Sequence, residues 1–318
     1  MERKAKTSRK ATHIPEFRSS PPLSSLLTDL GPLAELAGTW SGSGFNLIAR
    51  PDFEGGNDIF LELNLTAETL TFDAIGAPIP NRGTGQDDIQ LFGLHYLQKI
   101  NDATTNGALH LEPGIWINVP ATTAPGESQS VGRMASIPHG NALLAQGQGT
   151  KIAGPPTPFG AANTVPFPVG SNIPPPGAPN GFPEYNLSAP NPFRSSPLPA
   201  AITQAVVTNP NSFLQNAVAG QTIVETVVLD IATVPSFTIG TPSPTVAPVP
   251  NGGGGVENIP FLTTNADAAT VFATFWIEKV KHHHGGGHFL QLQYSQTVLL
   301  NFLGLSWPHV SVATLVKH

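Results

Sequence analysis

Proline and glycine punctuate this chain too often for it to carry long helices. It holds 33 prolines and 32 glycines in 318 residues, about a fifth of the chain and roughly twice the usual share. Proline removes a helix donor and clashes with the preceding turn, and glycine loses too much backbone entropy inside a helix. A helical bundle or a coiled coil is therefore excluded. Yet 40% of the residues are hydrophobic, with 17 Phe and 4 Trp, which is too apolar for a disordered chain. What is left is a β fold with long connections.

The period of the apolar residues supports this. Ile59-Phe60-Leu61-Glu62-Leu63-Asn64-Leu65 alternates strictly, so one face of a strand is apolar. Thr69–Ile75 reads as a further strand after a turn. Asp88–Ile100 and Leu109–Val119 follow, with Pro113-Gly114 suggesting a bulge or kink. Val131–Ile137 and Ala142–Gln146 flank Pro138-His139-Gly140, which reads as a turn. Thr222–Ala232, Thr270–Val280, His288–Leu300 and Val310–Val316 complete the set with Gly38–Phe45. Leu26–Leu36 has near-helical spacing around a Gly-Pro break and predicts one short helix or turn. The expected fold is all-β: an antiparallel β-barrel of about ten strands, or else a sandwich.

Two Pro/Gly-rich insertions interrupt the pattern, at residues 148–221 and 236–255. The first holds fifteen prolines and only three charges, Lys151, Glu184 and Arg194. Proline at that density disfavours ladder pairing. So few charges, together with Phe159, Phe167, Phe182 and Phe193, predict a segment draped over the body or over a neighbouring subunit rather than a solvated linker. The organisation expected is a basic arm over residues 1–25 and a single barrel domain over residues 26–318.

Charge is uneven. Arg3, Lys4, Lys6, Arg9 and Lys10 face only Glu2 in the first thirteen residues, so a net −6 overall leaves −10 on the remainder. An acidic body argues against nucleic-acid binding, which needs clustered Lys and Arg. No run approaches eighteen apolar residues, so no membrane span is expected. The first residues lack an apolar stretch behind their charges, which reads as no secretory signal and a cytoplasmic location. There is no cysteine, hence no disulfide and no thiolate ligand. A homo-oligomer tied together by the insertion and the arm is one expectation of this pattern.

Enzyme templates with sequence signatures are missing: no Gly-x-Ser-x-Gly elbow, no His-Glu-x-x-His, no phosphate-binding glycine loop. Asp87-Asp88, Glu62 and Glu112 are available carboxylates without a readable pairing. His282, His283, His284 and His288 surround three glycines, a run able to take up metal adventitiously but too pliant for a preorganised site. His95 and His110 lie in strand patterns and are expected within the barrel wall. His139 sits in a turn at a barrel rim.

Two segments carry a family resemblance. Gly38-Thr39-Trp40-Ser41-Gly42-Ser43-Gly44-Phe45 has alternate glycines, which permit close backbone approach, and a Trp placed to plug a barrel end. It resembles the Gly-x-Trp-x-Gly-x-Gly opening of nitrobindin-like haem proteins, which implies a ten-stranded, calycin-like barrel. Ser306-Trp307-Pro308-His309, running into Val310–Lys317, is similar to the last strand of that family, which carries the haem-ligating His. The resemblance implies a non-covalent haem b with His309 as its iron ligand, Trp40 and Trp307 closing or lining the pocket, and His139 as a distal group or second axial ligand. It implies binding of NO or another diatomic or small apolar ligand, or peroxidase-like or peroxynitrite isomerase activity. A haem-free barrel for an apolar molecule and a self-assembling structural subunit are the alternatives.

Overall fold

The computed structural model describes residues 23–86, 88–156, 160–171, 182–234, 249, 251–282 and 286–318. The basic arm, most of the second insertion, Asp87, Phe159, His283 and His284 lie outside the described residues.

Thirteen strands form in chain order: β1 (Gly38–Asp52), β2 (Asn57–Ala74), β3 (Ile79–Asn81), β4 (Ile89–Asp102), β5 (Ala108–Val119), β6 (Ser130–Ile137), β7 (Asn141–Ala153), β8 (Phe167–Pro168), β9 (Ile223–Ala232), β10 (Gly254–Asn258), β11 (Asp267–Lys281), β12 (His288–Phe302) and β13 (Leu305–Lys317). Ten of them make an antiparallel wall in the order β1-β2-β4-β5-β6-β7-β9-β11-β12-β13. The wall closes where β13 returns to β1, from Trp40 opposite Lys317 to Ile48 opposite His309. Closure removes the free edges that an open sheet would expose.

Several strands depart from the sequence reading, each for a visible reason. Residues 57–74 are one strand with no turn inside it. Thr66 and Glu68 interrupt the apolar rhythm because they face a polar barrel interior, where they hydrogen-bond to each other. Pro113-Gly114 keeps regular register, and the irregularity falls instead at Ile100/Asn101. Gly114 is there for space, since a Cβ would lie 2.5 Å from the Tyr96 ring. Residues 148–153, expected in the first insertion, extend β7 and pair with β9. Gly254–Asn258, across the end of the second, pairs as β10 with β7.

One end of the barrel is plugged. The helix Leu23–Asp29 and the 3-10 turn Gly31–Leu36 press Leu26, Leu30, Leu33 and Leu36 into a core with Trp40, Trp116, Phe275 and Tyr294. Trp40 Nε1 donates to the Leu36 carbonyl at 2.7 Å, and the Lys317 ammonium lies 5.3 Å from its ring centroid. Burying these side chains contributes about 1.5–3 kcal/mol each for the aliphatic members.

The first insertion covers the outer wall. Tyr185, Ile202, Val206, Val207 and Leu214 pack on Phe45, Leu47, Leu61, Leu63, Val310 and Val312, the outward residues of β1, β2 and β13. Its main chain also pairs with β2: the Leu61 amide donates to the Phe193 carbonyl and the Ser195 amide to the Leu61 carbonyl, both at 3.0 Å. That satisfies the part of β2 beyond its pairing with β4, which starts at Thr66. Buried Arg194 staples the belt by donating to the carbonyls of Glu184, Asn186 and Ala189. Among the described residues no helix is long and apolar enough to cross a membrane.

Candidate functional site

Alternation along β1, β2 and β13 sorts side chains cleanly. Odd-numbered Phe45 and Leu47 and even-numbered Val310 and Val312 face the belt, so Asn46, Ile48, His309 and Ser311 face inward. His309 is near the end of the barrel opposite the plug. The Ile48–His309 and Trp40–Lys317 pairs are eight residues apart, or about 26 Å along the strand.

His309 has the properties of a ligating imidazole. Its Nε2 is buried and without a hydrogen-bond partner. Burial pushes the ring down to about 4, a hydrogen bond with the Ala49 backbone works in the opposite direction, and the charge of His139 depresses it further. A backbone bond that favours protonation is one accepted by a carbonyl. With Nε2 unpartnered, the donor is Nδ1–H, and Nε2 presents its lone pair. Two more buried acceptors without partners, the Oδ1 atoms of Asn46 and Asn64, stand beside it. These residues face each other across β1 and β2, and Asn46 pairs with Ser311 on β13. Buried polar atoms without partners are rare and call for an occupant.

Across the barrel lie two more imidazoles. His139 occupies the β6–β7 turn, closed by Gly140 at φ +110° with its amide on the Ile137 carbonyl at 2.9 Å. Its ring centroid is 6.0 Å from that of His110 on β5. Partial burial and the neighbouring His110 lower the His139 ring below the ordinary histidine range. The helix Pro260–Asn265 flanks this turn, with the Ile259 amide on the Gly140 carbonyl.

Between the plug and the histidines runs a buried polar network. Arg133 on β6 donates to Tyr96 at 2.9 Å, to Gln296 on β12 at 2.6 Å, and to Glu112. Tyr96 also donates to Glu112, and His110 Nε2 is 3.2 Å from the other Glu112 oxygen. Burial opposes ionisation of Glu112, but Arg133, His110 and Tyr96 outweigh it and hold the carboxyl down at about 2. Glu68 is the contrasting case. It accepts from Tyr294 at 2.6 Å, Thr66 at 2.7 Å and Gln98 at 3.4 Å, yet burial raises it above the ordinary carboxylate range. Gly44 makes room for this cluster, because a Cβ there would come within 2.7 Å of Glu68 Oε1.

The structure therefore brings His309 and His139 to one end of the barrel and separates both from Trp40, which stays in the plug. Trp307 stacks on Phe302 at 5.3 Å and donates to its carbonyl, within the cluster beneath the belt. His95 faces outward and is exposed beside Asp73 rather than satisfied in the wall. Glu62 is 3.9 Å from Arg50 in an exposed pair. His282 and His288 are exposed, and among the described residues no three His, Asp or Glu side chains converge to hold a bare metal ion. Sequence reasoning missed Asn46, Asn64, Glu68 and Arg133. Their signal was polarity at inward positions of apolar strands. A cavity of about 100 Å³ lies elsewhere, between the belt and the outer wall, against Asn163, Asn211, Trp276 and Thr297.

No family model and no curated protein matches the chain. Among solved structures it is similar to that of Rv2717c from M. tuberculosis, with 14% identity, a TM-score of 0.40, and coverage of 92% of this chain and 97% of that one.

Proposed function

We propose that the barrel binds haem b non-covalently at the end opposite the plug, with His309 as the iron ligand. The observation that carries this reading is the buried, unpartnered Nε2 of His309. A ligating imidazole must be neutral, oriented and free at one nitrogen. Burial keeps His309 neutral at physiological pH, and the Ala49 bond fixes its orientation. Ile48 and Val298, paired directly with His309, and Ile100 on β4 supply apolar inward positions around it, as a planar apolar group requires. A ferric haem held by His309 would supply an open coordination position for NO, peroxide or peroxynitrite. His139 and His110, on the facing wall, are the groups that would hydrogen-bond to what binds there.

Haem titration of the purified protein tests this directly. A Soret band that saturates at one haem per chain, and that is lost or shifted in His309→Ala and restored by added imidazole, supports the proposal. An identical spectrum in His309→Ala removes it. Uptake of an apolar fluorophore without a haem spectrum favours the haem-free carrier instead.

A further inference from the structure

His110 and Glu112 are two residues apart on β5, so both side chains face the barrel interior. Glu112 is fully buried and spends one oxygen on Arg133 and Tyr96. Its other oxygen is 3.2 Å from His110 Nε2. An ionised carboxylate only accepts hydrogen bonds. Nε2 therefore carries the proton, and the lone pair of His110 is on Nδ1. This is the arrangement by which a carboxylate fixes the tautomer of a catalytic imidazole. Arg133 and Tyr96 satisfy Glu112 Oε1, and His110 satisfies the other oxygen, which would otherwise pay a desolvation cost.

We infer that His110 is a general base for acids of the form H–X bound at the end opposite the plug, and that Glu112 is its positioning residue. The inference rests on the haem reading above. As the ligand enters, the H–X bond breaks, its electron pair stays on X as the anion, and the proton passes to His110 Nδ1. The resulting imidazolium donates from Nε2 to Glu112, and the anion X⁻ formed in the same step offsets the positive charge that the Arg133–Glu112 pair leaves over. The other titratable groups around His110 are His139, at 6.0 Å between ring centroids, and Glu68, which interacts with it electrostatically. The ligand class is thus a small weak acid, such as hydrogen peroxide, rather than a neutral diatomic alone.

Two measurements decide it. In the haem-free protein, ¹⁵N spectra of the histidine rings should show His110 as the Nε2–H tautomer, and Glu112→Gln should scramble it. An Nδ1–H tautomer in the unmodified protein overturns the inference whatever haem does. In the haem-loaded protein, hydrogen cyanide serves as the H–X probe, followed by its association rate. His110→Gln should slow association at least tenfold while the Soret band of the resting protein stays in place. His110→Gln leaves Glu112 and Arg133 paired, so it keeps the test open if Glu112→Gln fails to fold. Normal haem uptake with unchanged cyanide association sinks this inference alone. Absence of a His309-dependent Soret band sinks the haem reading and this inference with it.

Discussion

Two buried carboxylates show how position decides the fate of one functional group. Glu112 meets Arg133 and stays ionised down to about 2. Its partners favour the charged form, so its contribution to stability is present above the unfolded carboxylate value and is lost only as pH falls through about 2. Removing Arg133 leaves that charge stranded, so Arg133→Met should cost about 3–5 kcal/mol in urea unfolding at pH 7. Glu278, beneath the belt on β11, has one oxygen on Gln291 at 2.7 Å and the other without a partner. Burial lifts it from the ordinary carboxylate value near 4.5 to about 7. For a raised carboxylate the sign reverses: its contribution is complete below pH 4.5 and disappears as pH rises through about 7. That loss is at most about 3 kcal/mol. Glu278→Gln keeps the side-chain shape and cannot ionise, so its unfolding free energy should hold between pH 5 and pH 8 while that of the parent falls. Parallel profiles for the two proteins would contradict this reading of Glu278.

Among the elements, the first insertion is the one whose chemistry was most legible and whose shape was least so. Fifteen prolines and three charges were enough to predict that it packs on the body, although residues 148–153 and Phe167–Pro168 pair as strands. They could not say which wall would be covered, because that depends on which strands close the barrel. The outward faces of β1, β2 and β13 are apolar, and in a bare barrel they would be exposed. Tyr185, Val206, Val207 and Leu214 bury them. Leu214→Ala should therefore cost about 2–5 kcal/mol and make the belt cleavable by thermolysin well before the barrel unfolds. Cleavage kinetics equal to those of the parent would show that the belt is not held by this contact. The strand count and the β6–β7 turn were readable from period and from Pro138-His139-Gly140. The length of β2 was not, since a strand that carries Asn64, Thr66 and Glu68 inward loses the alternation that announces it. The same residues hid the candidate site: a polar barrel interior looks, in one dimension, like a turn.

At the scale of the whole molecule, the barrel has two ends of different chemistry. The plugged end concentrates large apolar side chains, and the opposite end concentrates imidazoles and unpartnered amide oxygens, with the Arg133–Glu112–Glu68 layer between them. Trp40 and His309 mark the extremes, about 26 Å apart along the β1–β13 seam. Trp40 is fully buried, so Trp40→Ala removes a large side chain from a packed core and should cost about 3–5 kcal/mol. It touches nothing at the His309 end, and on the haem reading uptake should stay at the parental stoichiometry. His309→Ala should do the opposite. It loses ring packing and the Ala49 hydrogen bond, but it also removes a buried nitrogen that has no partner, and these terms of about 1–3 kcal/mol oppose each other. Stability of the haem-free protein should then change by about 1 kcal/mol or less, while the Soret band disappears. Groups this far apart, with no shared partners, are expected to add within about 0.5 kcal/mol. The double variant measured by urea unfolding without haem is the decisive case. Additive free energies, with haem lost only where His309 is lost, fit two independent ends. A coupling well above 1 kcal/mol, or loss of haem in Trp40→Ala alone, would mean that the polar middle layer transmits strain from plug to mouth and that the two ends fold as one site.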